Sequence, residues 1–214
     1  YPDMAVQQME QGVRKLGMRG FLIGGSVNGE ELASQRFHPI WAKAEELGTV
    51  LFIHPQGFPG GGKRLDGNGA LFNVIGNPLE TTVALSHLIF EGTLDRFPGL
   101  KICAAHGGGF LPSYANRSDA VMKTFPQRVG AGPRKPPTSY LRDGQLFFDT
   151  IVFTPEALRH IAGQVGSDRL IMGTDYPFPW TKTSVDHILN TTGFSDAEKA
   201  GMLGDTAAKL LGIR

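Results

Sequence analysis

The chain has a single cysteine, Cys103, and no apolar run near the ~18 residues a membrane-spanning helix needs. One cysteine excludes an internal disulfide and any site built from several thiolates. It also suits a reducing compartment, so a cytoplasmic protein is expected. Charge of one sign is missing too: 21 Lys and Arg face 20 Asp and Glu, scattered along the chain, for a formal net charge of +1. Nothing in that balance steers the protein to nucleic acid or to an anionic membrane surface, and the expected partner is a small molecule. The first residues carry no charged segment followed by an apolar stretch, as a secretion signal would. Asn116-Arg117-Ser118 and Asn190-Thr191-Thr192 fit the glycosylation pattern but therefore carry no weight. No internal repeat and no second compositional zone interrupts the 214 residues, which at 41% hydrophobic can bury one core and read as one domain.

What is present is a repeated arrangement of an apolar strand that ends on a chemically active side chain. Lys101-Ile102-Cys103-Ala104-Ala105 delivers His106 into Gly107-Gly108-Gly109, Val50-Leu51-Phe52-Ile53 ends on His54 before Pro55, and Leu170-Ile171-Met172-Gly173-Thr174 ends on Asp175 before Tyr176-Pro177. A parallel sheet presents catalytic groups at the carboxyl ends of its strands in this way. Two imidazoles and a carboxylate are the donor types of a catalytic divalent metal site. Cys103 lies inside one of the apolar strands and reads as a small core residue, because thiols in apolar surroundings are usually inert.

Taken in order, the chain opens on a helix with Asp3 as cap, Val6, Met9, Val13 and Leu16 on one face, and Gly17 as its end. A strand at Gly20 to Gly24, a loop holding Asn28 and Gly29, and a helix from Pro39 to Leu47 lead to the His54 strand. The glycine-rich segment from Gly57 to Gly69 is a mobile cover over the site or a plain surface excursion. Its Lys63 and Arg64 read as a solvated pair, with an anionic substrate as the alternative. A long helix from Pro78 closes near Phe97-Pro98-Gly99 and carries Leu79, Val83, His87, Phe90 and Leu94 on one stripe, which makes His87 a core or interface histidine. Helix from Tyr114 to Lys123, an irregular basic linker from Pro126 to Pro137, and a fourth strand at Leu146 to Thr150 bearing Asp149 come next. Thr154-Pro155-Glu156 starts a further helix with Leu158, Ile161 and Val165 inward and His160 outward. Tyr176-Pro177-Phe178-Pro179-Trp180 is a rigid aromatic turn, a wall for a substrate ring or a plug of the sheet's mouth. Ser195 to Glu198 has capping-box spacing and Asp205 to Leu211 ends the chain's helices at Gly212. Five strands, centred on Phe21, Leu51, Ile102, Phe147 and Ile171 and separated by helices, predict a parallel α/β sheet.

Phe52-Ile53-His54-Pro55, Gly76-Asn77-Pro78-Leu79-Glu80-Thr81-Thr82, Ala105-His106-Gly107-Gly108-Gly109, Arg117 and Gly173-Thr174-Asp175-Tyr176-Pro177-Phe178-Pro179 together resemble the amidohydrolase superfamily. The branch is that of aminocarboxymuconate-semialdehyde, resorcylate and carboxyvanillate decarboxylases. The resemblance spans nearly the whole chain and implies a (β/α)8 (TIM) barrel of metal-dependent hydrolase type. It implies His54 and Asp175 as metal ligands on the fifth and eighth strands, His106 on the sixth as the proton-handling group, and Arg117 as the binder of a substrate carboxylate, supplied across a homodimer interface. Phe178 and Trp180 would face the substrate. The cofactor would be a divalent ion, zinc by default and manganese as the alternative. The activity would be decarboxylation of an aromatic or unsaturated carboxylic acid, with hydrolysis or hydration by the same site as the competing reading.

One family feature is missing. The His-x-His or Glu-x-His pair of the family's first strand occurs nowhere in the chain. The opening helix and the Phe21 strand match the family's third helix and fourth strand, so residues 1–214 are expected to be the C-terminal portion of one barrel domain, strands 4 to 8. A catalytically incomplete fragment or interaction module is the remaining alternative.

Overall fold

The structure, a computed structural model, describes residues 1–130 and 132–213, with residues 181 and 182 described by backbone alone. In chain order the elements are α1 (Pro2–Leu16), β1 (Gly20–Ile23), β2 (Ser26–Val27), β3 (Glu30–Glu31), α2 (His38–Leu47), β4 (Val50–Ile53), α3 (Asn77–Phe90), α4 (Thr93–Arg96) and β5 (Lys101–Ala104). They continue with α5 (Leu111–Thr124), α6 (Pro126–Val129), α7 (Pro137–Tyr140), β6 (Leu146–Asp149), α8 (Pro155–Val165), β7 (Leu170–Ile171), α9 (Ser184–Asn190), α10 (Asp196–Ala200) and α11 (Thr206–Leu211). The five expected strands form one parallel sheet in the order β1-β4-β5-β6-β7, each separated from the next by helix. Sequential order with helical crossovers is the build of a (β/α)8 barrel, here five strands of one.

Local chemistry sets the boundaries. Pro39 sits in the first turn of α2, where its missing N–H costs nothing, and Gly48 closes that helix in the left-handed conformation at φ 62°. Thr154 caps α8 by accepting from Ala157 N, and Ser195 and Glu198 form the capping box of α10. Leu158, Ile161 and Val165 point inward and His160 outward, as read from the periodicity.

Several expectations are corrected. Asp3 does not cap α1; the helix starts at Pro2 with Asp3 already in its first turn, and its buried positions are Met9 and Gly12, while Leu16 is exposed. The helix from Pro78 ends at Phe90 and restarts as α4 after Gly92, whose left-handed φ of 73° breaks it. Its inward face is Thr81, Ala84, Leu85, Leu88 and Ile89, one position round from the expected stripe. His87 is therefore half-exposed, paired with Glu91 and 3.8 Å from Glu31, which corrects the core half of its core-or-interface reading. Asn28 and Gly29 are not a plain loop: both take positive φ, 53° and 78°, and turn the antiparallel β2–β3 hairpin. That hairpin is tied to α3 by Ser26 Oγ donating to the buried Glu80 at 2.7 Å. The segment from Gly57 to Gly69 is built of short 3-10 turns with Lys63 and Arg64 exposed. The linker from Pro126 holds short helices α6 and α7, and residue 131 within it lies outside the described residues.

The main core lies between the sheet and the helices. Leu51, Ile53, Ile102, Ala104, Leu146, Phe148 and Leu170 face it from the strands, and Trp41, Leu85, Leu88, Leu158 and Ile161 from the helices. The alternate strand residues Val50, Cys103 and Phe147 face the other way, into a smaller cluster with Leu210. Period-two alternation thus assigns β4's next inner position to His54.

Candidate metal and proton-transfer site

The inner side of the sheet bounds an open cavity of about 720 Å³ whose wall includes Phe52, His54, His106, Asp149, Asp175 and Phe178. His54 continues β4, its backbone N–H donating to Ile23 O at 3.0 Å, so the ladder to β1 fixes where its ring starts. The rings of His54 and His106 meet edge-on, 5.2 Å between centroids. Asp175 Oδ1 stands 4.0 Å from His54 Nε2. One donor atom from each of His54, His106 and Asp175 lies within 4.8 Å of those of the other two. The convergence expected of the three strand ends is therefore met.

His106 is held by its backbone. It sits at φ 55°, in the left-handed region that a side chain with a Cβ enters at a cost, and Gly107, Gly108 and Gly109 follow at φ 62°, 77° and 67°. The carboxylate of Asp149 stabilises this turn: Oδ2 accepts from His106 N at 3.0 Å, and Oδ1 accepts from Gly107 N at 2.8 Å and Ile151 N at 3.0 Å. Burial pushes the Asp149 carboxyl up to about 6, against the opposing pull of these three N–H donors. At Gly109 a Cβ would lie 2.1 Å from Pro78 O, so only glycine passes there. Thr82 completes the seat, accepting from Phe110 N at 2.8 Å and donating to Pro78 O at 2.7 Å. The roles of Asp149 and Thr82 escaped the sequence reading. Asp149 did carry a signal, a carboxylate closing an otherwise apolar strand.

Burial lowers the His106 imidazole from its ordinary value, with the negative charge of Asp175 pulling the other way. Its Nδ1 is buried without a hydrogen-bond partner. A buried orphan nitrogen is costly unless something meets it, and two imidazoles with a carboxylate are a donor set that a divalent ion accepts. The residues present fit such an ion. Asp175, also at positive φ (57°), has its Oδ2 engaged by Trp180 Nε1 at 2.9 Å.

Not every expected site residue comes together. Phe178 lines the cavity, while Trp180 lies beside it, stacked on Phe178 and bonded to Asp175. Arg117 is exposed on α5 and lies outside the cavity wall of its own chain. Cys103 is buried, and burial next to the charge of Asp149 pushes its thiol far up. Among the described residues no helix is long and apolar enough to cross a membrane.

The comparisons with known proteins agree with this geometry. The 2-amino-3-carboxymuconate-6-semialdehyde decarboxylase of Dictyostelium discoideum is 32% identical over 212 residues, covering 99% of this chain and 58% of its own length. The gamma-resorcylate decarboxylase of a Polaromonas species is 26% identical, covering 92% of this chain and 63% of its own. Among solved structures, the 5-carboxyvanillate decarboxylase of Sphingomonas paucimobilis superimposes with a TM-score of 0.90 at 27% identity, over 100% of this chain and 64% of that one. A Polaromonas dihydroxybenzoic acid decarboxylase with bound manganese and the inhibitor 2-nitroresorcinol gives 0.88 at 26% identity, over 99% and 66%. The chain thus spans about 60% of the length of these relatives. The family pattern described as amidohydrolase matches residues 1–213, and the chain belongs to that family.

Proposed function

We propose that residues 1–214 are the C-terminal portion of a (β/α)8-barrel decarboxylase that works with one divalent ion on an aromatic or unsaturated carboxylic acid. The observation that carries this reading is the convergence of His54, His106 and Asp175 within 4.8 Å at one mouth of a parallel sheet. The named decarboxylases among the relatives support the reaction class.

His54 and Asp175 would hold the ion, which when bound polarises the oxygen substituents of the substrate. Zinc suits the imidazole donors, and the carboxylate also suits manganese, the metal present in the Polaromonas structure. His106, whose ring borders the cavity edge-on to that of His54, would handle the proton. Burial favours its neutral form, while an arriving substrate carboxylate favours the imidazolium, as Asp175 already does, and the proton it takes up would come from solvent. The imidazolium then protonates the carbon that carries the carboxylate. The bond to that carboxylate breaks, carbon dioxide leaves, and the electron pair left behind restores the ring or conjugated system. Phe178 walls the cavity on the side where an apolar ring would lie, with Trp180 stacked behind it.

Arg117 has the right chemistry for a bidentate grip on a carboxylate, and its exposure outside its own cavity supports its supply to the site of a second copy in a homodimer. The lone cysteine supports a cytoplasmic setting.

The test is carbon dioxide release from a panel of hydroxybenzoates and muconate-type acids. It uses protein expressed with any coding sequence upstream of Tyr1 and reconstituted with zinc or manganese. His54→Ala and Asp175→Ala should each cost at least ~1,000-fold in kcat/KM, which corresponds to about 4 kcal/mol of transition-state stabilisation. Lactone opening without carbon dioxide release would move the reading to hydrolysis. Turnover unaffected by either substitution would end it.

A further inference from the structure

The geometry points to Trp180 as a positioning residue for Asp175, through a hydrogen bond that engages one carboxylate oxygen and leaves the other for an ion. This rests on the reading of His54 and Asp175 as metal ligands. Asp175 lies beyond the end of β7, in backbone that is neither strand nor helix, so no ladder or helical turn fixes its side chain. Its two oxygens are in different surroundings. Oδ2 accepts from the indole Nε1 of Trp180 at 2.9 Å, while Oδ1 stands 4.0 Å from His54 Nε2.

The indole is itself fixed. Phe178 stacks on it at 4.9 Å between centroids with only 4° between the planes, and Phe153, from the connection between β6 and α8, meets it edge-on at 6.1 Å and 85°. A ring held from its face and its edge has little freedom to redirect its N–H. A carboxylate free to turn offers either oxygen, or both, to a cation. With an N–H fixed on Oδ2 it offers Oδ1 on the side of His54, as a single-oxygen ligand with a set direction. An aromatic rim that merely shields the cavity would account for the stacking. It would not account for the N–H on Oδ2, since phenylalanine at position 180 would shield equally well, and the test uses that difference.

Residues 1–214 contribute two indole signals to a nitrogen-15 NMR spectrum, and Trp41, which donates to Leu32 O in the core, is the internal reference. In metal-free protein, Asp175→Ala should move the Trp180 indole proton upfield and leave that of Trp41 in place. Added Mn(II) should broaden the Trp180 signal first. Trp180→Phe, which keeps the stack on Phe178, should weaken Mn(II) binding about tenfold with the metal-free melting temperature unchanged. A Kd for Trp180→Phe within about twofold of the wild type, where an outer partner of a ligand is expected to matter tenfold or more, overturns the proposal. So does an indole signal indifferent to Asp175→Ala. Mn(II) binding that ignores His54→Ala and Asp175→Ala overturns the metal reading together with this one. Binding that needs both residues but is unmoved by Trp180→Phe overturns the role of Trp180 alone.

Discussion

The two faces of the sheet use the same kinds of residue to opposite ends. Leu51, Ile53, Ile102, Leu146, Phe148 and Leu170 face the helices and are all 0% exposed. Their strand neighbours Val50, Phe52, Cys103 and Ile171 border the cavity and, with Phe147, pack in a smaller cluster against Leu210 and Leu211 of α11. Composition does not separate the two sets; what stands opposite them does. The helix-facing side is a finished core, and stability should reside there. The cavity-facing side ends in His54, His106 and Asp175, and its apolar residues serve chiefly as the floor under that site.

Substituting equivalent residues on the two faces tests this difference directly. Phe148→Ala removes a fully buried ring that also packs over Gly108, and should cost about 4 kcal/mol of stability in urea unfolding. Phe52→Ala, on the cavity side of β4, should cost about 1 kcal/mol, because much less apolar surface leaves contact there. Equal losses would mean that the cavity side is packed as tightly as the core. Between these lies Asp149→Ala, where the cavity side does contribute to the fold. It strips the acceptors from the N–H groups of His106, Gly107 and Ile151 and should cost about 3 kcal/mol. Because His106 sits at positive φ, the same change should also release its ring, seen as a lost contact between the His54 and His106 ring protons in NMR.

Much of this comparison was legible in the sequence, because strand periodicity is a local property. The five apolar runs gave the five strands, and alternation within Val50 to Ile53 gives the face on which His54 emerges. The convergence of His54, His106 and Asp175 followed from their common place at strand ends. What could not be read depends on partners distant in the chain. Asp149 reaches back 43 residues to His106 N, and Gly109 is required by Pro78 O, which belongs to α3. The inward face of α3 was misjudged by one position because threonine and alanine, not only large apolar residues, face the core at Thr81 and Ala84. The hairpin at Asn28-Gly29 was different: its turn chemistry is local, and only the shortness of β2 and β3 hid it.

The smallest expected effect concerns Cys103, the one thiol on the cavity side. It borders the cavity, yet its side chain is buried, and both that burial and the nearby charge of Asp149 oppose the thiolate. A negatively charged aromatic disulfide reagent at pH 8 should therefore modify it at least ~100-fold more slowly than an unfolded control, since only the thiolate attacks. Cys103→Ser should leave metal binding unchanged, because the sulfur is not among the converging donors. Rapid labelling in the native state would mean that water reaches the floor of the cavity beside Phe52. The cavity side would then be a wet surface over most of its area, rather than a dry floor with one polar rim.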